Sequence, residues 1–353
     1  MTKISIIIPV YNSAQYVEEA ARSVLSQDCD SFELLLVDDG STDASGDVCD
    51  RLAEEDSRVR VFHIENGGMC HARNFAMEHA RGDYVAFCDN DDIYLPGLLS
   101  EAYRAAEESG AECVCYGIMI EQYNKEGAVS SKVIMCPQKA EVLVNEEIAQ
   151  HFDSLYYASD GVWARIYKRS FLVENGIRFD ENLRHGTEDI LFNMDVIRVC
   201  RTIAFIPEVF YIWRRRASHS SSMVIAPDRI RGIEMLLKKE NDFMLERGID
   251  QLFPDLYAAL LLSNFVDVAT VAPLAGGQSF RVECKLYETL RKIYEPYREN
   301  ILKAAPPLHT RLAFRALMAG RWRMLYCAMV SSSKIVSLVR RRSHVDGSVP
   351  ASL

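Results

Sequence analysis

The stretch Asp89-Asn90-Asp91-Asp92 follows directly on the apolar run Tyr84-Val85-Ala86-Phe87-Cys88. Aspartates at alternating positions can aim two carboxylates at one hard cation, and magnesium or manganese takes such oxygen ligands. A cation held there binds a diphosphate and neutralises the charge that builds on a leaving group. The competing reading is a solvated acidic turn, which a buried strand running straight into the cluster disfavours.

Three further polar clusters share this placement after an apolar run. Val37-Asp38-Asp39-Gly40-Ser41-Thr42-Asp43 follows Leu34-Leu35-Leu36. A carboxylate there can accept hydrogen bonds from a base N–H or from ribose hydroxyls. Asp39 is the expected nucleoside contact, Asp38 braces or caps the loop, and Asp43 reads as a helix cap. Tyr11-Asn12 follows Ile4-Ser5-Ile6-Ile7-Ile8-Pro9-Val10, and Tyr11 either stacks on a base or packs under the loop. Asn66-Gly67-Gly68 precedes a helical stretch from which Arg73 could reach a diphosphate. Farther on, Glu188-Asp189 opens another helical stretch. There the choice is between acids favoured by the helix dipole and a general base for an attacking hydroxyl. Trp163 is either a platform for a sugar ring or core. Arg214, Arg215 and Arg216 with His219 form a basic loop that could close on a diphosphate, with His219 as a further metal ligand.

The elements that must position these residues alternate. Strands are expected at residues 4–8, 34–37, 58–64, 84–87 and 112–120. Helices are expected at 13–26, 43–55, 69–79 and 98–109, with Ser13, Asp43 and later Thr187 as caps. Such repeated units predict an α/β fold with a doubly wound, mostly parallel sheet flanked by helices. Ligands bind outside the carboxyl ends of such strands, where all four clusters fall. After residue 222 the texture becomes helical, so residues 1–222 are expected to form a catalytic domain and 223–353 a helical C-terminal region.

The combination of Ile7-Ile8-Pro9-Val10-Tyr11-Asn12, Val37 to Asp43, Asn66-Gly67-Gly68 with Ala72-Arg73-Asn74, Phe87 to Asp92 and Glu188-Asp189 closely resembles the family 2 glycosyltransferases with the GT-A fold. The resemblance covers about residues 1–222. It implies an inverting, metal-dependent transfer from a nucleotide-sugar, most often UDP-linked, to an acceptor hydroxyl. By position it implies Asp189 as the catalytic base, Asp91 as the direct metal ligand, and Asp89 as a shared ribose and metal contact. It implies a nucleotide-binding set of Pro9, Tyr11, Asn12, Asp39, Asn66, Arg73, Asp89 and Asn90. Trp163, Glu188, Arg214 and His219 are the expected substrate-side contacts. Ala164 stands where many members have Asn after the Trp, and Cys88 where they have Leu.

Composition bounds the alternatives. The 353 residues carry a formal net charge of -10 with 49% hydrophobic residues, an ordinary globular balance that argues against a nucleic-acid partner. Yet residues 301–353 hold nine Lys and Arg against a single acid, Asp346. That basic tail fits an amphipathic helix lying on an anionic membrane, or a helix packed on the protein with a solvated basic face. It could equally serve oligomerisation. Ten cysteines without a CxxC pair, many inside apolar runs, fit reduced buried thiols. With no signal-like start and no long apolar run, a cytoplasmic location is expected, including the inner face of the membrane. Partners would then be a nucleotide-sugar donor and a glycan or lipid-linked acceptor. A nucleotidyltransferase would share fold and metal but would usually show a Gly-rich basic loop where Tyr11-Asn12-Ser13 stands. A non-catalytic sugar-nucleotide module would not need both Asp91 and Asp189.

Overall fold

The computed structural model describes residues 2–29, 31–124, 126–152, 161–216, 226–262, 280–303, 308–321 and 324–325. These divide into two compact units. The first runs through residue 222 and includes Ala226–Lys239; the second takes the chain from Glu240 onward.

In the first unit the strands are β1 (Ile4–Val10), β2 (Phe32–Asp38), β3 (Val59–His63), β4 (Tyr84–Phe87), β5 (Ile93–Tyr94), β6 (Cys113–Tyr123), β7 (Val129–Met135), β8 (Glu141–Val144), β9 (Arg165–Lys168) and β10 (Thr202–Arg215). The principal helices are α1 (Val17–Leu25), α2 (Ser45–Glu55), α3 (Met69–His79), α4 (Leu98–Ser109) and α5 (Glu188–Val199). The strands form one sheet in the order β3-β2-β1-β4-β9-β6-β10-β5, with β7 on β6 and β8 on β10.

β1 lies inside the sheet, parallel to β2 and to β4, and β2 is parallel to β3. Every residue of β1 and β2 is buried. Continuous β-branched and leucine runs suit strands covered on both faces, because alternate side chains point to opposite layers. On one face Ile4, Ile6, Ile8, Leu34 and Leu36 pack with Val17, Ala20, Ala21 and Val24 of α1. Those four are spaced as one stripe of a helix. On the other face Phe87 meets Phe179 at 5.5 Å and Phe192 at 6.0 Å, both edge-on. Burying each such side chain contributes about 1.5–3 kcal/mol.

The sheet is mixed. β9 runs antiparallel to both β4 and β6, while β6 and β10 are parallel to each other. The reversal of β9 brings its N-terminal side, with the short turn Val162–Ala164, to the edge where β1, β2 and β4 end. β10 carries register shifts between Ile206 and Tyr211. These redirect its C-terminal end, and β5 pairs with it at Tyr94–Tyr211.

Expected caps are corrected in detail. α1 begins at Val17, after a turn in which the Ser13 carbonyl accepts from Tyr16 and Val17; the Ser13 hydroxyl caps nothing. α2 begins at Ser45, one residue after its Ala44 cap position, and Asp43 accepts the Ser45 N–H at 2.9 Å. Thr187 does precede α5, in left-handed geometry at φ 72°, but its hydroxyl donates back to the Gly186 carbonyl.

The second unit is helical, with helices Ile249–Leu252, Phe280–Tyr294, Arg298–Lys303 and Leu308–Met318. Its core includes Tyr287, Leu290, Tyr294, Ile301, Phe314 and Leu317. Most of the basic stretch 310–343 lies outside the described residues. No helix among the described residues is long and apolar enough to cross a membrane. Cys29, Cys49, Cys70, Cys88, Cys113, Cys115, Cys136 and Cys200 are free thiols, and all of these but Cys136 are buried.

Candidate functional site

The parallel order puts the ends of β3, β2, β1 and β4 along one edge, and their loops are cross-braced. Asn12, in left-handed geometry at φ 46°, accepts the Thr42 N–H on its Oδ1 at 2.8 Å. Its own N–H donates to Ser41 Oγ at 3.0 Å. Asp38 Oδ1 accepts the Ser41 N–H at 3.0 Å. Asp39 is buried, and its two carboxylate oxygens accept the N–H groups of Gly67 and Gly68 at 2.7 and 2.8 Å. Asn66 Nδ2 donates to the Asp39 carbonyl at 2.9 Å. Asp39, expected as the nucleoside contact, is therefore first of all the knot joining two loops. Each carboxylate oxygen has room for a second hydrogen bond, so acceptor capacity remains. Gly68 sits at φ +93°, a conformation open to glycine and costly for other residues. Tyr11 projects 49% exposed from this edge, the posture of a ring with a free face.

The acidic loop is tied to both sides. Asn90 Nδ2 donates to the Pro9 carbonyl at 2.9 Å, joining it to β1. Asp92 is buried and accepts Tyr211 Oη and the Arg214 N–H, both at 2.7 Å. These two bonds make Asp92 a brace for the loop. Asp89 Oδ1 meets Arg73 at 2.8 Å, and Asp91 Oδ2 meets Arg216 at 2.6 Å. Burial first, and then the charge of Asp89, raise the Asp91 carboxyl above its ordinary value. The same causes raise Asp92 further.

Behind the loop lies the feature the sequence did not reveal. Arg73 is fully buried and donates to Asp189 Oδ1 at 2.6 Å as well as to Asp89. Its guanidinium lies 5.2 Å from the Phe179 ring centre. The expectation of Arg73 as a diphosphate contact is corrected: this cation is an interior bridge between two carboxylates. Asp189 keeps 18% of its side chain open. Burial raises its carboxyl, Arg73 opposes that, and Asp89 adds to it. Glu188 is buried, its Oε2 has no partner among the described residues, and burial followed by the charge of Asp189 pushes it up to about 7. It is not placed to touch an acceptor from the surface.

Other substrate-side expectations are also corrected. Trp163 is 6% exposed and stacks on Tyr211 at 4.8 Å and 11°. Among the described residues its other ring neighbour is Trp213, so the indole sits in the core, the alternative to the sugar platform. Arg214 turns its guanidinium onto Glu19 of α1 at 2.7 and 2.9 Å. Of the three arginines in this run, it is Arg216 whose side chain meets Asp91, and its guanidinium also covers the Tyr16 ring at 4.2 Å. His219 lies outside the described residues.

Asp89 and Asp91 fit a hard divalent cation by chemistry. Both are oxygen donors, both are partly open, and like charges crowd them. Among the described residues no group of three or more His, Cys, Asp or Glu is arranged to hold a metal by itself. A magnesium-type ion does not require one, since it commonly takes one or two carboxylates and completes its shell with phosphate and water.

Comparisons accord with this geometry. The model for "Glycosyl transferase family 2" matches residues 5–175. Glycosyltransferase GlyG of Streptococcus pneumoniae serotype 4 is 40% identical over 285 residues, which cover 80% of this chain and 93% of that protein. The uncharacterized glycosyltransferase EpsJ of Bacillus subtilis is 30% identical over 229 residues, 64% of each chain. This chain therefore matches somewhat less than two thirds of the length of EpsJ. A crystal structure of S. aureus TarS 1-349 in complex with UDP-GlcNAc aligns with a TM-score of 0.71 at 21% identity, covering 94% of this chain and 92% of that one. The two share a fold.

Proposed function

Because this chain belongs to glycosyltransferase family 2, we propose that it moves a sugar from a nucleoside diphosphate to an acceptor hydroxyl with inversion at the anomeric carbon. The observation that carries this reading is the arginine bridge. One buried guanidinium holds Asp189 and Asp89 at 2.6 and 2.8 Å, and Tyr11 is exposed at the end of β1, the strand paired with β4.

In the proposed reaction the acceptor hydroxyl gives its proton to the Asp189 carboxylate as its oxygen attacks the anomeric carbon. The bond from that carbon to the diphosphate breaks on the opposite side. Its electron pair leaves with the nucleoside diphosphate. No covalent intermediate forms, so a single carboxylate set apart from the acidic loop is enough. The raised carboxyl of Asp189 makes it a better base than a solvated aspartate. Arg73 fixes the direction of that carboxylate. Asp89 and Asp91 would hold the divalent cation, magnesium or manganese, which when bound offsets the charge on the departing diphosphate. Tyr11 supplies a stacking surface for the base, and Asp39 the remaining acceptor capacity for a base N–H.

Uridine diphosphate is the proposed nucleotide, supported by the TarS complexes with UDP-GlcNAc and with UDP. The proposed acceptor is a glycan or lipid-linked glycan in cell-envelope polysaccharide assembly, at the inner face of the membrane. Support comes from the name of TarS, a poly(ribitol-phosphate) beta-N-acetylglucosaminyltransferase. Residues 1–222 are the proposed catalytic domain and 223–353 a membrane-contacting or oligomerising region. The test is release of UDP from a panel of UDP-sugars with manganese, for wild type and Asp189→Asn. A wild type that neither binds nor consumes any UDP-sugar sinks the uridine reading.

A further inference from the structure

We propose that His63 is a positioning residue for the nucleoside pocket, holding the loop after β2 in its binding shape while the imidazole carries a proton. The inference rests on the nucleotide site proposed above.

His63 ends β3, in register with Asp38 at the end of β2. Its Nδ1 lies 2.9 Å from Asp38 Oδ2, and its Nε2 lies 3.1 Å from Asp50 Oδ1. A carboxylate only accepts. A neutral imidazole has one N–H, so it satisfies one of these partners and sets a bare lone pair against the other. The imidazolium satisfies both. The geometry by itself therefore selects the charged ring. Consistent with this, the hydrogen bonds from Asp38 and Asp50 outweigh desolvation and raise His63 above its usual value.

The charges that act most strongly on the ring are the two carboxylates it bonds. From β2 comes Asp38, held below its ordinary value by Ser41 and His63 against the desolvation of burial. From α2 comes Asp50, together with Cys49, a buried thiol pushed up to about 12 that stays neutral. Gly46 of α2 gives the room: a Cβ there would meet Asp38 Oδ2 at 3.1 Å and His63 Cε1 at 3.4 Å. On β3 itself Arg60 pairs with Glu33. From α3, on the other face, Arg73 is held by Asp89 and Asp189, and His79 bonds the Phe75 carbonyl.

The link to the pocket runs through Asp38. One oxygen takes the His63 N–H, and the other accepts the Ser41 N–H. The Ser41 hydroxyl in turn accepts from Asn12, next to Tyr11, and Asp39 follows Asp38 directly. The imidazolium donates to Asp38 and Asp50 at once and pairs with the Asp38 charge, whereas the neutral ring keeps one donor for the two carboxylates. Loss of the His63 proton therefore loosens the loop that flanks both proposed nucleoside contacts. The imidazolium is present at low pH and lost as pH rises through its raised value, so nucleotide affinity falls in that direction.

The test is UDP binding with manganese by calorimetry, on full-length wild type, His63→Gln and His63→Arg. At about pH 6 wild type should bind UDP about fivefold tighter than His63→Gln, and by about pH 9 the ratio should shrink toward one. Taking the ratio at each pH cancels the titration of UDP itself. His63→Arg, permanently charged, should keep its low-pH affinity at high pH. In turnover, the donor KM should carry the change while kcat stays level. A wild-type to His63→Gln ratio that is constant with pH overturns the inference and leaves the nucleotide site standing. Absence of UDP binding by wild type at every pH removes the nucleotide reading, and this inference with it.

Discussion

Arg73 donates to Asp189 at 2.6 Å although 116 positions separate them in the chain. The same guanidinium reaches Asp89, so the proposed base and the acidic loop share one buried cation. Taking away one member of a buried charge cluster costs about 3–5 kcal/mol, because the partners are left uncompensated. Arg73→Met should lose stability on that scale in thermal or denaturant unfolding. Arg73→Lys keeps the charge but not the rigid fork that serves two carboxylates at once. It should fold, bind UDP with little change and show depressed kcat. An Arg73→Lys enzyme with full kcat would mean the bridge has no part in aligning the base.

Asp189→Asn removes the proton acceptor and leaves the acidic loop intact. General-base catalysis contributes about a hundredfold to ten-thousandfold. The variant should lose kcat within that range and bind UDP as wild type does. The carboxyl of Asp189 is raised, first by burial, so the acid limb of the wild-type kcat profile should lie above the ordinary aspartate value of 3.8. Activity should climb with pH through that limb, since only the carboxylate form accepts the proton. A profile flat through the weakly acidic range in wild type would argue for another base.

Trp163 stacks on Tyr211, and the Tyr211 hydroxyl donates to Asp92. The indole thus buttresses the acidic loop from within. Trp163→Ala should cost about 3–5 kcal/mol as a large-to-small core substitution. Its thermal midpoint should fall well before any change in acceptor KM can be resolved. A stable Trp163→Ala protein with a raised acceptor KM would restore the sugar-platform role that the burial argues against.

The strand ends were legible because continuous apolar runs and the βα alternation leave little choice about which edge gathers the loops. Asp89, Asp91 and the Asp38-Asp39 pair follow from that, as does the exposed Tyr11. The fate of Arg73 was not legible. A helix residue a few positions past a glycine pair can face the ligand or the interior, and only packing against Phe179 and Phe87 decides. The arginine run posed a similar difficulty. Arg214 and Arg216 stand two residues apart at the end of β10, yet one meets Glu19 and the other Asp91. That choice depends on where α1 places Glu19, which local sequence does not encode. Trp163 was ambiguous for the same reason, since its neighbours Tyr211 and Trp213 lie on β10, far away in sequence.

Glu188 offers a stability test with a definite sign. It is buried, its Oε2 has no partner among the described residues, and its carboxyl is pushed up to about 7, first by burial and then by Asp189. In the unfolded chain a glutamate ionises near its ordinary value of 4.5. Between these values the folded state keeps a proton that the unfolded state has given up. Unfolding then releases a proton, so stability falls as pH rises through the window and stays lower above it. The size is on the order of 3 kcal/mol, because each tenfold change in an ionisation constant corresponds to about 1.4 kcal/mol. Glu188→Gln removes the titration while keeping the shape. It should therefore be more stable than wild type at about pH 8, with the advantage vanishing toward about pH 4. Thermal midpoints of the two proteins measured across that range would show the curves converging on the acid side. A Glu188→Gln protein less stable than wild type at high pH would mean that the buried carboxylate is ionised and stabilised by a charge partner. In that case Glu188 would rank with Asp189 as a charged member of the site.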